Sequence, residues 1–270
     1  MVQLTWNQPG ERHFEAGLDR GVLYPDSSTG VAWNGLTSVK AAPSGGEPKP
    51  YYIDGVKFLN VPSTEEYSGT IEAFTYPDEF EEFDGTASLY DGVLMHQQFR
   101  KSFGLSYRTR LGDDINGVDD GYRLHLIYNA LAAPSEKSYD SLGDTPEPMA
   151  FSWNFTTTPI AVAPGIRPLA HISIDSRRIS PLMLKLIEQT LYGTSFQNPQ
   201  FMTPQDIITL YDTVLPGHFL IVEDSETGMA QLVEGIGSDV MLGETDGLYI
   251  ASPETRLVET AEDGLYDLEE

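Results

Sequence analysis

"SFGLSYRTRL", residues 102–111, decides the fold. Phe103, Leu105, Tyr107, Thr109 and Leu111 alternate with Ser102, Gly104, Ser106, Arg108 and Arg110. That period of two belongs to a half-buried β-strand and not to a helix. "YRLHLIYN", residues 122–129, repeats it with Tyr122, Leu124, Leu126 and Tyr128 on one face. Between the two runs lies "GDDINGVDDG", residues 112–121, rich in Asn, Asp and Gly. The combination predicts an antiparallel hairpin with a long polar tip.

Working outward, the same reading marks strands in "GVLY", "VAWNGL", "YYIDGVKFLNV", "GTIEAFTY", "AFSWNFTTT" and "AHISID". Turn chemistry separates them, in "PDSSTG", "APSGGEPKP" and "AAPSEKSYD". Helical grammar occurs twice. "SPLMLKLIEQTLYG" has Ser180 as N-cap, Pro181 at the first helical position and Gly193 as the stop, predicting a helix near 181–192. "TPQDIITLYDTVLPG" repeats it from Thr203 and Pro204, predicting a helix near 204–214. Short strands resume after it in "HFLIVED", "MAQLVEG", "DGLYIAS" and "TRLVET". The expected class is mainly β (α+β) with one or two flanking helices.

The 270 residues are 40% hydrophobic and 11% aromatic, enough apolar area to offset chain entropy in one large domain or two smaller ones. Acidic residues number 41 against 16 basic, a formal net charge of −25 at pH 7. Gripping nucleic acid requires cations that displace phosphate counterions, so this balance argues against a DNA-gripping role. From Pro216 to Glu270 there are 14 Asp and Glu against one Arg. That shift places an expected boundary near Leu215–Gly217, giving domains 1–215 and 216–270. With no cysteine, disulfides, thiolate metal sites and thiol nucleophiles are ruled out. The first residues lack a signal-peptide pattern, and no run approaches the roughly 18 apolar residues of a membrane span, so a soluble protein is expected.

The search for chemistry yields little. His13, His96, His125, His171 and His218 never form the His-Glu-x-x-His pair of a metalloprotease. His125 falls on the polar face of its strand and His171 at a strand start, so both read as structural or exposed. Neither a Gly-x-Ser-x-Gly elbow nor a phosphate-binding loop is present, and "GIGSDV" (235–240) reads as a turn between strands. In the acidic tip, Asp113, Asp114, Asn116, Asp119 and Asp120 are hard oxygen donors suited to Ca²⁺. Asx-rich tips carry the same residues without an ion, because these side chains cap their own backbone. Asp78, Glu79, Glu81, Glu82 and Asp84 offer carboxylate pairs of the glycosidase type, as any chain this acidic does. His13, Glu15, Asp19 and Arg20, in "HFEAGLDRGVLY", have no accompanying nucleophile and read as a salt-bridged start to the first strand. No catalytic residue, cofactor or metal is therefore assigned.

Seven stretches, in order, carry a resemblance: "HFEAGLDRGVLYP", "GVAWNGL", "YYIDGVKFLN", "GTIEAFTYPDEF", "FGLSYRTRLGDD", "LHLIYNALAAPSEKSY" and "FSWNFTTTP". Together they resemble the major tail protein, or tail tube protein, of long non-contractile-tailed (siphovirus-type) bacteriophages, especially those of actinobacteria. The likeness runs from about residue 12 to 192 and weakens beyond the helices. It implies a β-sandwich or half-barrel whose inner barrel is completed by neighbouring subunits. It further implies a structural virion protein, assembled in the host cytoplasm, whose hexameric rings stack into the conduit for DNA ejection. The implied partners are other copies of the chain and the tape measure, tail terminator and distal tail proteins, with DNA passing unbound through the lumen and no membrane involved. The resemblance brings no catalytic residues.

Within that expectation, two loops are candidates for contacts between rings. They are "KAAPSGGEPKP" (40–50), with Ser44, Gly45, Gly46 and Glu47, and the acidic tip, with Asp113 and Asp114. Glu15, Asp19 and Arg20 are candidates for contact with a neighbouring subunit. Two other readings stay open. One is a monomeric β-sandwich that binds carbohydrate on the tail surface, and the other is a carboxylate-based glycoside hydrolase.

Overall fold

The computed structural model describes residues 6, 8–139, 141 and 148–213, together with strands at 220–223, 230–233, 249–250, 256–259 and 266–269. The chain divides into two compact units, residues 1–179 and 180–270. The boundary expected near 215–217 lies outside the described residues.

The first unit runs β1 (Phe14–Tyr24), β2 (Val31–Ala32), β3 (Leu36–Ala41), β4 (Ser44–Gly45), β5 (Pro48–Ile53), β6 (Val56–Pro62), β7 (Glu65–Glu66) and β8 (Ser68–Ala73). A 3-10 helix (Asp78–Glu82) follows, then β9 (Ala87–Tyr90), β10 (Val93–Met95), β11 (Phe103–Asp113), β12 (Gly117–Ala132), β13 (Phe151–Thr157) and β14 (His171–Asp175). Eight of these strands form one antiparallel sheet in the order β2-β1-β11-β12-β13-β8-β3, with β14 added against β12. The fold is mainly β, as expected.

β12 organises the sheet because it is long enough to serve two partners along one edge. Arg123–Ile127 pair with β14, and Ala130–Ala132 pair with β13. Asn129, at φ +47°, sits at the changeover and donates its side-chain amide to the Thr158 carbonyl at 3.1 Å. Asn is among the few L-residues that enter this left-handed region readily. Beyond it the sheet folds over, so β1-β11-β12-β14 forms one layer and β13-β8-β3 another.

The core lies between these layers. Leu23, Phe103, Leu105, Tyr107 and Ile127 meet Ile71, Trp153 and Phe155 there, and Phe80 and Phe83 from the 3-10 helix join them. Phe80 packs its ring 5.0 Å from Trp153 and 4.7 Å from Trp33, centroid to centroid. The alternation of 102–111 therefore reads correctly, with Phe103, Leu105 and Tyr107 facing inward. In β12 the pairing of Leu105 with Ile127 turns Ile127, not Leu124 and Leu126, toward this core. Leu124, Leu126 and Tyr128 are nevertheless buried on the opposite face, so β12 is covered on both sides.

The hairpin tip differs from the expected long loop. Pairing continues through Leu111 with Gly121 and Asp113 with Gly117, leaving Asp114, Ile115 and Asn116 as the loop. Gly117, at φ +68°, supplies the left-handed residue that a three-residue hairpin loop requires. "YYIDGVKFLNV" is not one strand but the hairpin β5–β6. Asp54 (φ +50°) and Gly55 (φ +76°) form its two-residue turn, the positive φ pair of type I′.

In the second unit, α1 (Pro181–Tyr192) and α2 (Pro204–Thr213) follow the predicted bounds up to Thr213. Ser180 makes no side-chain cap bond, so Pro181 is the local signal that starts α1. α2 begins with a reciprocal cap: Thr203 N–H donates to Asp206 Oδ2 at 2.7 Å, and Asp206 N–H to Thr203 Oγ1 at 3.2 Å. β15 (Leu220–Glu223) pairs with β16 (Ala230–Val233) and β17 (Tyr249–Ile250), and β18 (Arg256–Glu259) with β19 (Tyr266–Glu269).

Candidate functional site

The four-stranded layer β1-β11-β12-β14 ends in two edges. β2 covers β1 only at Val22 and Leu23, so Phe14–Asp19 carries no outer strand among the described residues. β14 likewise has β12 on one side and no strand on the other among the described residues. A row of unpaired backbone donors and acceptors along such an edge is a template for another strand.

Charged side chains clamp the strands beside these edges. Asp19 accepts two bonds from Arg108, at 2.8 and 3.1 Å, and one from Arg110 at 3.3 Å. The Arg108 guanidinium holds the Asp19 carboxyl below the usual carboxylate range, against a smaller opposing effect of burial. Arg123 donates to Glu15 at 2.6 Å and lies 3.8 Å from Asp175. Arg177 joins Asp175 (3.1 Å) to Asp120 (2.9 Å), and lowers the Asp175 pKa chiefly through its hydrogen bond. The opening cluster is thus dispersed. Gly17, at φ +73°, marks a β-bulge that puts Glu15 on the Thr109 side of the sheet and Asp19 on the Arg108 side. Arg20 is itself left-handed at φ +47°.

A row of buried and half-buried rings adjoins Glu15. Tyr67 lies face to face with His171 and Tyr107 with His125, centroids 4.9 and 4.7 Å apart, and the two imidazoles, 5.3 Å apart and nearly parallel, meet edge to edge. His125 therefore does not sit on a polar face in water; it is 9% exposed. Glu15 can only accept, so the Thr109 hydroxyl donates to it and in turn accepts from His125 Nε2 at 3.0 Å. That tautomer leaves His125 Nδ1 as acceptor for His171 Nε2–H at 3.1 Å. Both rings are neutral in this chain of bonds. Burial pushes the His125 pKa down to about 4 and lowers that of His171 as well. No sequence pattern announces this pair, since 46 residues separate its members.

At the hairpin tip, Asp113 accepts from the backbone N–H groups of Ile115, at 2.8 Å, and Asn116. These bonds, the one from Asn116 foremost, hold its carboxyl below the ordinary value. Asp114 accepts from Gly10 N–H at 2.9 Å and lies 3.7 Å from Arg12, so the tip anchors the segment leading into β1. His13, Asp113 and Asp120 bring ligand atoms within 4.8 Å of one another. Asp113 is engaged in its own turn and Asp120 by Arg177. Asn116 donates to both Asp113 (3.0 Å) and Asp120 (3.5 Å), and Asp119 lies 3.5 Å from Arg110.

Ser44, Gly45, Gly46 and Glu47 lie in the foot of a β-arm, residues 42–67, and not in a plain loop. Ser44 and Gly45 pair with Glu66 and Glu65, and β5–β6 extends the arm. Gly45, at φ +82°, has no room for a side chain, because a Cβ would sit 2.4 Å from the Thr64 carbonyl oxygen. Every residue of β5 and β6 is exposed, among them Tyr51, Ile53, Val56 and Phe58. A second exposed hairpin, β9–β10, carries Tyr90, Val93 and Met95. Of the acidic run before it, Asp84 is taken up by Lys137, Arg100 (3.7 Å) and Trp153 Nε1 (3.1 Å), and Glu82 by Lys101 (2.5 Å).

No protein-family model matches the chain, and no characterised protein matches its sequence. Among solved structures, a chain from the cryo-EM structure of the anti-feeding prophage (AFP) baseplate, 6-fold symmetrised, is distantly similar. It has 10% sequence identity and a TM-score of 0.31, over 63% of this chain and 97% of that one. No helix among the described residues is long and apolar enough to cross a membrane.

Proposed function

We propose that this protein is a structural subunit of a phage tail tube, self-assembling into hexameric rings that stack into the conduit for DNA ejection. The observation that carries the reading is the antiparallel layer β1-β11-β12-β14, in which β14 and the Phe14–Asp19 part of β1 carry no outer strand among the described residues. Four alternating strands leave β1 and β14 running in opposite directions. When a copy is rotated about a ring axis, its β1 comes beside its neighbour's β14 antiparallel, and the ladder continues from subunit to subunit. Repetition around a closed ring removes every edge, as barrel closure does within one chain. The contact is head-to-tail, which is how cyclic rings form. The sequence resemblance over residues 12–192 supports the same role. The chain's acidic surplus suits a conduit that repels phosphate, so that DNA slides instead of adhering. In this role the chain has no catalytic residues. The tape measure, tail terminator and distal tail proteins are its further partners in the virion.

Sedimentation velocity across a wide concentration range tests the proposal. Concentration-dependent growth to hexamers and larger multiples is expected. A monomer that persists at high concentration, even with an initiating tail-tip complex added, would replace it with the monomeric carbohydrate-binding module.

A further inference from the structure

We infer that the His125–His171 pair is a proton-operated latch on β14: acid releases this strand from β12 and withdraws one of the two edges through which copies join. The inference rests on the self-assembly proposed above and names its regulation. One chain of hydrogen bonds crosses the layer from edge to edge. It runs from Glu15 on β1 through the Thr109 hydroxyl on β11 and both nitrogens of His125 on β12 to His171 Nε2 on β14. No residue of β14 is fully buried, and β12 is its one strand partner among the described residues. Its hold therefore depends on the ladder and on the side chains along β12.

The surroundings favour the neutral form of the pair. Glu15 Oε1 lies 3.6 Å from His125 Nε2, but Glu15 is already bonded to Arg123, whose own charge opposes a proton on His125. Asp175, further along β14, is engaged by Arg177 and Arg123. The Tyr107 ring covers His125 and the Tyr67 ring covers His171, and both phenols stay neutral in acid. Burial, the largest cause, holds both imidazoles below their ordinary value of 6.5. With both rings charged, donor would face donor and like charges would meet across a 3.1 Å bond. Opening restores the ordinary pKa, so the open form takes up the protons and acid favours it. At about pH 5.5, each imidazole that titrates only when open shifts the balance by about tenfold, and the pair by up to about a hundredfold. Carboxylates of ordinary pKa are still ionised there, so the response is that of imidazole.

Amide hydrogen exchange tests the latch within the folded chain, and sedimentation tests its effect on assembly. Between about pH 7.5 and 5.5, after correction for intrinsic exchange, protection of the amides that β14 pairs with β12 should fall by about 10- to 100-fold while that of β11 is kept. Assembly should weaken over the same interval. His125→Gln with His171→Gln, which keeps hydrogen-bonding groups but does not titrate, should remove both responses. Protection of β14 that does not change with pH in the unaltered chain would overturn the latch and leave the tube reading standing, as would a response that persists in the double variant. Release of β14 without loss of assembly would overturn the regulatory role, because this edge would then join no neighbour. A chain that does not assemble at neutral pH would overturn the tube reading, while exchange at β14 would still decide the latch.

Discussion

The β11–β12 hairpin and the β5–β6 arm are built by the same rules and put to opposite uses. Both are antiparallel, and both close with positive-φ turns, a three-residue loop at Gly117 and an Asp54-Gly55 pair. In β11–β12 the side chains of Leu105, Leu124, Leu126 and Ile127 are fully buried, whereas in the arm no side chain is. Backbone pairing alone therefore does not distinguish scaffold from surface. What distinguishes them is whether a second layer covers the face, and the arm's apolar face has none within its own copy's described residues.

The comparison breaks most sharply at the core. Trp153→Ala should lower unfolding free energy in urea by about 3–5 kcal/mol, because it empties the space between Phe80 and Tyr76. It also removes a donor from the buried Asp84. Gly69→Ala should cost about 1–3 kcal/mol, since its Cβ would meet the Lys40 carbonyl oxygen at 2.2 Å and Phe155 at 2.8 Å. Asp19→Ala should cost about 1–2 kcal/mol at neutral pH, a figure reduced for partial exposure of the pair. The Asp19 contribution is present above the unfolded carboxyl pKa and fades as pH falls through its depressed folded value.

The His125–His171 pair predicts acid sensitivity of a particular kind. Their folded pKa values lie below 6.5, so as pH falls the unfolded chain takes up protons first. Melting temperature should decline between pH 6.5 and about 4, the depressed value of His125. A proton on His125 Nδ1 also sets donor against donor in the His125–His171 bond. Replacing both with Gln should flatten that part of the pH profile; an unchanged slope would place the sensitivity elsewhere. The smallest effect belongs to the arm, where Leu59→Ala should alter unfolding free energy by no more than about 0.5 kcal/mol.

Legibility in the sequence follows the same division. Strands β11, β13 and β14 and the two helices could be read because burial of one face, or a Pro–Gly frame, imposes a local pattern. The hairpin tip is shorter than its sequence suggests because Asp113, Asp119 and Asp120 are polar on both faces of paired strands, so pairing leaves no alternation to read. The arm is hidden in the sequence for a different reason. Its Asp54-Gly55 turn is a plain hairpin signal, but the apolar residues on both sides of it made "YYIDGVKFLNV" resemble one core strand. The dispersal of Glu15 and Asp19 depends on the bulge at Gly17, and the His125–His171 contact on β14 returning beside β12. Neither is a local property.

Cryo-electron microscopy of the assembled protein measures the central claim most directly. The account predicts closed six-fold rings in which density for β1 of each subunit runs antiparallel beside β14 of the next, forming one continuous inner barrel. Rings whose subunits meet through other surfaces, with β1 and β14 apart, would contradict it.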